Sequence, residues 1–77
     1  MNKTRRQKLE MAGDMLDRAK NMVEEVMTEE QDALANIPEN LENSDRAEAM
    51  EEAISSLDSA IQSIEEAEEA IDEARTW

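Results

Sequence analysis

A seven-residue repeat in the C-terminal half limits what this chain can fold into. Three successive heptads cover residues 53–59, 60–66 and 67–73, and each has alanine first and leucine or isoleucine fifth. Such a repeat keeps one side of an α-helix against a neighbouring helix along its whole length. A strand would instead alternate apolar and polar residues, and no segment does so for long. The repeat therefore predicts a helix over about residues 45–75.

A second apolar stripe predicts another helix over about residues 4–35. Leu9, Leu16 and Val23 recur every seven residues, with a line of alanines and Val26 beside them. Met15 and Met22 widen this stripe to three apolar positions per heptad, a width typical of helices buried in bundles. Because methionine fills irregular gaps, these two side chains are expected to occupy the groove beside the alanines of the second helix.

Residues 36–44 are predicted to form the turn that joins the two helices. Pro38 cannot continue the first helix, and the asparagines after it favour a turn. Either Ser44 or Asp45 can cap the second helix, and Glu48 would complete a capping box with Asp45. A turn this short makes the helices antiparallel neighbours. The predicted fold is an all-α helical hairpin, a single domain over residues 1–77 with residues 1–3 frayed.

The hairpin has little apolar material for a core of its own. Eleven of its apolar residues are alanine, and without cysteine it has no disulfide to stabilise it. We therefore expect two copies to pair into a four-helix bundle, a homodimer; the alternative is that the hairpin docks onto a different protein. Glu30 and Glu68 interrupt the stripes and are expected at the edges of the packed zone. The predicted self-association stripe consists of Leu9, Leu16, Val23, Val26, Ile54, Leu57, Ile61, Ile64 and Ile71.

The composition argues against an enzyme. Histidine and cysteine are both absent, and these supply most proton transfer at neutral pH, thiolate nucleophiles and zinc sites. There is no calcium-loop motif and no glycine-rich phosphate loop, so no cofactor, metal or small-molecule substrate is expected. No apolar run is long enough for a membrane span or a signal peptide. These observations predict a cytoplasmic protein that does not bind membranes.

The formal net charge of −13 is distributed unevenly along the chain. Residues 1–20 carry six bases and three acids, whereas residues 21–77 carry eighteen acids and only two bases. Hairpin closure is expected to place the basic N-terminal residues beside the acids near the C-terminus, which relieves unfavourable charge–dipole interactions in both helices. The acids outside the apolar stripe of the second helix form the predicted acidic face: Glu48, Glu51, Glu52, Asp58, Glu65, Glu66, Glu69, Asp72 and Glu73.

Two interpretations of this acidic face remain open. Carboxylates one helical turn apart have a spacing comparable to that of phosphates along a nucleic-acid strand, so the face would imitate nucleic acid and bind a basic protein surface. Alternatively, the charge only keeps a helical assembly protein soluble. Trp77 has two interpretations as well, because it would either cover Leu9 and Met11 or anchor an interface. Direct binding to nucleic acid is not expected of so acidic a chain.

The central part of the chain resembles a class of small phage proteins. The stretches Glu29–Ala33, Asn36–Leu41 and Ser44–Met50, with the acidic heptads after them, are similar to small acidic helical-hairpin proteins of phages, prophages and mobile elements of Gram-positive bacteria. That resemblance implies a phage or mobile-element context, in which small acidic proteins are often inhibitors of host defence, such as anti-CRISPR or anti-restriction proteins. The leading hypothesis is a phage-type inhibitor that binds a host nucleic-acid-binding or defence protein. The alternative is a structural or adaptor coiled-coil module.

Overall fold

The chain folds as a hairpin of two long helices. The computed structural model describes residues 1–77, with α1 over Lys3–Ala35 and α2 over Asp45–Arg75. A single 3₁₀ turn, Glu39–Leu41, lies in the connection between them. No strand is present, so the predicted all-α hairpin is confirmed.

The molecule is a rod, because each helix touches only the other. Its principal extents are 60 × 14 × 12 Å, and its radius of gyration is 17.5 Å. A compact domain of this length would have a radius of gyration of about 11–12 Å. The excess means that most side chains lie on a surface, which leaves both helices accessible to partners along their length.

The N-terminal residues that were expected to fray are instead tied to the rest of the hairpin. The side chain of Asn2 accepts a hydrogen bond from the backbone N–H of Arg5 at 2.8 Å and caps α1. The ammonium group of Met1 donates to the carbonyl oxygen of Trp77 at 2.8 Å. Helix α1 consequently begins at Lys3, one residue earlier than the apolar stripe indicated.

Ser44 is the residue that caps α2. Its hydroxyl accepts a hydrogen bond from the backbone N–H of Ala47 at 3.2 Å. Asp45 is then the first helical residue rather than the cap, so Asp45 and Glu48 do not form the capping box that the sequence allowed. Both carboxylates still lie in the first turn, where they face the positive end of the helix dipole.

The interface between the helices is thin. Only Ala47, Met50 and Ile61 are buried. Most of the predicted self-association stripe contributes to this interface within one chain. Ile61 is buried, seven other members are half-buried, and only Val26 is exposed. The half-buried members of that stripe are Leu9, Leu16, Val23, Ile54, Leu57, Ile64 and Ile71.

The methionine flank of α1 does not fill the groove beside the α2 alanines within this chain. Met15 and Met22 are 62% and 66% exposed, so that expectation was wrong for the single hairpin. The helices meet through Leu16 and Val23, each of which directly follows one of these methionines and points about 100° further around the helix. The methionines are therefore left on one side of the hairpin, in contact with solvent.

Candidate protein-binding surfaces

The acidic face of α2 is a continuous exposed surface. All nine of its predicted members are exposed, and they extend from the first turn of α2 to its last. Neighbours such as Glu65, Glu69 and Glu73 are separated by one helical turn, which places their Cβ atoms roughly 5–6 Å apart. The structure thus presents a row of carboxylates on the side of α2 that points away from α1.

Few of these carboxylates have partners within the chain. Asp72 forms an ion pair with Arg75 at 3.5 Å, and Asp58 accepts a hydrogen bond from the amide of Gln62 at 2.9 Å. The other seven have no ion pair or side-chain hydrogen bond. Their charge is screened mainly by solvent ions, so it remains available to a basic partner.

The basic N-terminal residues lie at the same end of the hairpin as the acids near the C-terminus, but they form no ion pair with them. Lys3, Arg5 and Lys8 are exposed and are in no ion pair, and Arg6 donates to the carbonyl oxygen of Trp77 at 2.6 Å instead. Arg6 lines the same concavity as Asp72, so this base does lie near an acid of α2, as expected, without an ion pair between them. These basic residues bring positive charge near the C-terminus without pairing with a carboxylate of α2.

One ion pair joins the two helices, and the sequence did not point to it. The ammonium of Lys20 lies 3.4 Å from a carboxylate oxygen of Glu68, and both side chains are more than three-quarters shielded from solvent. Lys20 also lies 3.6 Å from Asp17 on its own helix. A detectable signal was present, since Glu68 occupies a position that isoleucine holds in the two preceding heptads.

The environment of Lys20 keeps its side chain charged. Desolvation lowers the pKa of Lys20, but the charge of Glu68 and its hydrogen bond, helped by Asp17 and Glu65, outweigh that effect. The net result is a pKa raised above its ordinary value. The ammonium is therefore retained throughout the neutral range and stays paired with Glu68, which explains why a glutamate is tolerated at this half-buried position.

The C-terminal tryptophan does not pack on the hairpin. Trp77 is 76% exposed. Its main-chain carbonyl accepts hydrogen bonds from Met1 and Arg6. The expected cover over Leu9 and Met11 is therefore absent, and Met11 is itself 59% exposed. Trp77 fixes the open end of the hairpin through its backbone and leaves its aromatic side chain free.

Folding gives the rod two ends of very different charge. Residues 21–61 form the half nearest the turn and carry twelve acids and one base, a formal charge of −11. The remaining residues form the open end and carry a formal charge of −2. A basic partner would be attracted most strongly to the turn half, whereas another acidic protein would be repelled least at the open end.

A second exposed surface is apolar and lies on α1. Met11, Met15, Met22 and Val26 are between 51% and 66% exposed and follow one another at intervals of four and seven residues. That spacing places them in one line along the helix. We call these four residues the methionine stripe. Such a continuous line of exposed large apolar side chains is typical of an interaction surface.

One partly apolar concavity lies outside these two surfaces. It has a volume of about 430 Å³ and lies at the turn, between Ala33, Ile37, Leu41 and Met50. No group of three or more acidic side chains is placed to hold a metal ion. Neither long helix contains a segment apolar enough to cross a bilayer. The acidic face and the methionine stripe are therefore the two surfaces to consider.

Comparison with protein-family models, with curated proteins and with solved structures found no significant match to this chain. The function proposed below accordingly rests on the residues and geometry of the hairpin.

Proposed function

We propose that this protein is a non-enzymatic inhibitor that binds a basic surface of a nucleic-acid-binding or defence protein of its host through the acidic face of α2. The observation that carries the proposal is the exposure of all nine acids of this face, of which Asp72 alone is ion-paired. A protein that used these charges internally would pair them. Here they are oriented outward along a helix that spans most of the rod.

The geometry of the face suits imitation of nucleic acid. Carboxylates such as Glu65 and Glu69 repeat along a straight helix, as phosphates repeat along a strand. A groove that neutralises phosphates with lysine and arginine would meet a comparable row of negative charges. The net charge of −13 would also accelerate the encounter with such a groove.

The resemblance to small acidic phage proteins supports an inhibitory role for this binding. A chain without histidine or cysteine lacks the side chains that most often transfer protons at neutral pH or act as thiolate nucleophiles. Blocking a nucleic-acid-binding site requires only shape and charge, and both are available on a rod with a charged side. Competition with DNA or RNA for a host protein would be sufficient for function.

The proposal is tested by neutralising the acidic face and measuring what the protein retains. The variant E65Q/E66Q/E69Q/E73Q keeps the helix formers but removes four charges. Wild-type protein is immobilised on a resin and incubated with a lysate of Gram-positive bacteria. It is expected to retain nucleic-acid-binding proteins, and added duplex DNA is expected to displace them. The variant is expected to bind each of them about tenfold more weakly or worse, since each screened surface charge contributes a fraction of the attraction.

A matched control separates the acidic face from the total charge. The variant E10Q/D14N/E24Q/D32N removes four exposed charges from α1 and reaches the same net charge. It is expected to bind with nearly wild-type affinity. Equal losses in both variants would show that only total charge matters, and unchanged affinity in the face variant would refute mimicry.

A second candidate function is an assembly or adaptor module that binds other helices through apolar side chains, with its charge serving solubility. The exposed methionine stripe favours it. The dependence on salt distinguishes the two functions. Binding through the acidic face weakens as ionic strength rises, whereas binding through methionine is unchanged or strengthened.

A further inference from the structure

We propose that a second copy of this chain covers the methionine stripe, in an antiparallel arrangement that places the turn of each hairpin beside the open end of the other. This inference deepens the second candidate function and does not depend on the acidic face. The surface shares only Val26 with the predicted self-association stripe, because the rest of that stripe is already used inside one hairpin.

The amount of surface left exposed fits a missing partner. The chain exposes 5974 Å², whereas a folded monomer of its 8.7 kDa mass would expose about 4,700 Å². The excess of roughly 1,200 Å² is larger than the ~800 Å² that each partner contributes to an interface of standard size. Pairing along the rod would bring the exposed surface of this chain into the ordinary range.

The side of the hairpin that carries the methionine stripe is low in charge on both helices. In an antiparallel pair, the residues that directly precede the inward-facing ones lie on the same side of the hairpin. On α1 these are the members of the methionine stripe. On α2 these are Arg46 near the turn and then small residues: Ala49, Ala53, Ser56, Ala60, Ser63, Ala67, Ala70 and Ala74. The resulting surface is mostly apolar, and the charged residues of α1 on this side are Lys8, Arg18 and Glu29. Glu29 is the one carboxylate that a partner would cover, and Lys8 of a second copy would compensate for its desolvation.

The order of residues along this side of α1 is self-complementary, which identifies the partner as a second copy. Around a midpoint between Arg18 and Ala19, Met15 mirrors Met22 and Met11 mirrors Val26. One step further out, Lys8 mirrors Glu29.

A two-fold axis at this midpoint would therefore place apolar against apolar on either side of the two Arg18 side chains, which lie beside the axis. It would also bring each exposed Lys8 close to Glu29 of the other copy, twice in one dimer. An unrelated partner would have no reason to match this symmetry.

Charge selects the antiparallel arrangement over the parallel one. In the parallel arrangement the two turn halves, each of charge −11, would lie side by side. In the antiparallel arrangement each turn half lies beside an open end of charge −2, which carries the lysines and arginines of α1. The outward acidic faces stay exposed in this dimer.

The test uses cysteines, which are absent from the natural chain and so report only on the positions chosen. Chains carrying M11C are mixed with chains carrying V26C, then oxidised and analysed by mass spectrometry. Mixed M11C–V26C disulfides are expected to dominate, with self-disulfides of either chain at background. R18C is expected to cross-link to itself, because it lies next to the axis. E24C, on another side of α1, is the control and is expected to remain monomeric.

Sedimentation of the wild-type chain gives the companion result. A species of twice the chain mass at micromolar concentration is expected, and M15E is expected to return it to the monomer without loss of helicity. A stable wild-type monomer would overturn the proposal. Dominant M11C self-disulfides, or efficient cross-linking of M15C to A67C in the dimer, would overturn the antiparallel register. None of these outcomes depends on whether the acidic face binds a host protein.

Discussion

At the scale of single residues, some side chains stabilise the hairpin and one position does not. Lys20 and Glu68 show a polar pair accommodated at a half-buried position, because each charge has the other at 3.4 Å. Ser44 and Asn2 satisfy backbone N–H groups at the starts of the two helices. Gly13 has no comparable role, since its φ is not positive and a Cβ added there would meet nothing within 4 Å.

Gly13→Ala is therefore expected to stabilise the protein. Alanine lowers the conformational entropy of the unfolded chain and has the higher helix propensity, and together these effects contribute about 1 kcal/mol. For a chain of this length that corresponds to an increase in Tm of roughly 4–8 °C, measured by circular dichroism. A decrease in Tm would mean that another helix approaches α1 at this position.

At the scale of elements, the two helices are unequal. Helix α2 has Asp45 and Glu48 in its first turn and Arg75 in its last, as the helix dipole favours. Helix α1 has no acid in its first turn and no base in its last. Helix α1 therefore depends more on contact with α2, which is made along its whole length by half-buried side chains.

Leu57→Asp is expected to disrupt this contact between the helices. Leu57 lies half-buried four residues before Ile61, near the middle of α2, and a carboxylate there loses apolar contacts and has no cation beside it. The expected cost is about 3 kcal/mol, enough to unfold a hairpin with so small a core.

Circular dichroism measures the effect of Leu57→Asp directly. The control is Ser59→Asp, which adds the same charge at an exposed position two residues away. Its helicity should remain near that of the wild type. Similar helicity in both variants would contradict the observed register of α2.

At the scale of the whole molecule, the balance is between a long thin interface and strong self-repulsion. An interface with only three fully buried residues holds together a rod 60 Å long that carries a net charge of −13. Most of this charge lies in the turn half, which contains twelve acids and a single arginine. Repulsion there acts against both hairpin closure and pairing with a second copy.

Salt is therefore expected to stabilise the protein. Raising the ionic strength from low to physiological values shortens the screening length to about 8 Å. This weakens the repulsion between the acids of the turn half more than it weakens the attraction within the few ion pairs. The Tm is expected to rise by roughly 5 °C. A fall in Tm would indicate that attractive pairs such as Lys20–Glu68 contribute more than repulsion does.

The sequence by itself determined the helices, their antiparallel connection and the exposure of the acidic face. Heptad spacing, the single proline at position 38 and the capping residues are local properties, and each acts within a few residues of the chain. The acids of α2 are off the apolar stripe, so their exposure followed from the helical period alone.

Only the tertiary structure decided which apolar residues of α1 face α2. Helix α1 has three apolar positions per heptad, so it can turn either of two adjacent pairs of these positions toward α2. Which pair faces α2 depends on the shape of that helix. The helices meet through Leu16 and Val23, and this leaves Met15 and Met22 exposed. The periodic pattern alone does not show which of these two pairs faces α2.

The Lys20–Glu68 pair was decided in the same way, because its partners are 48 positions apart in the chain and meet only when the hairpin closes.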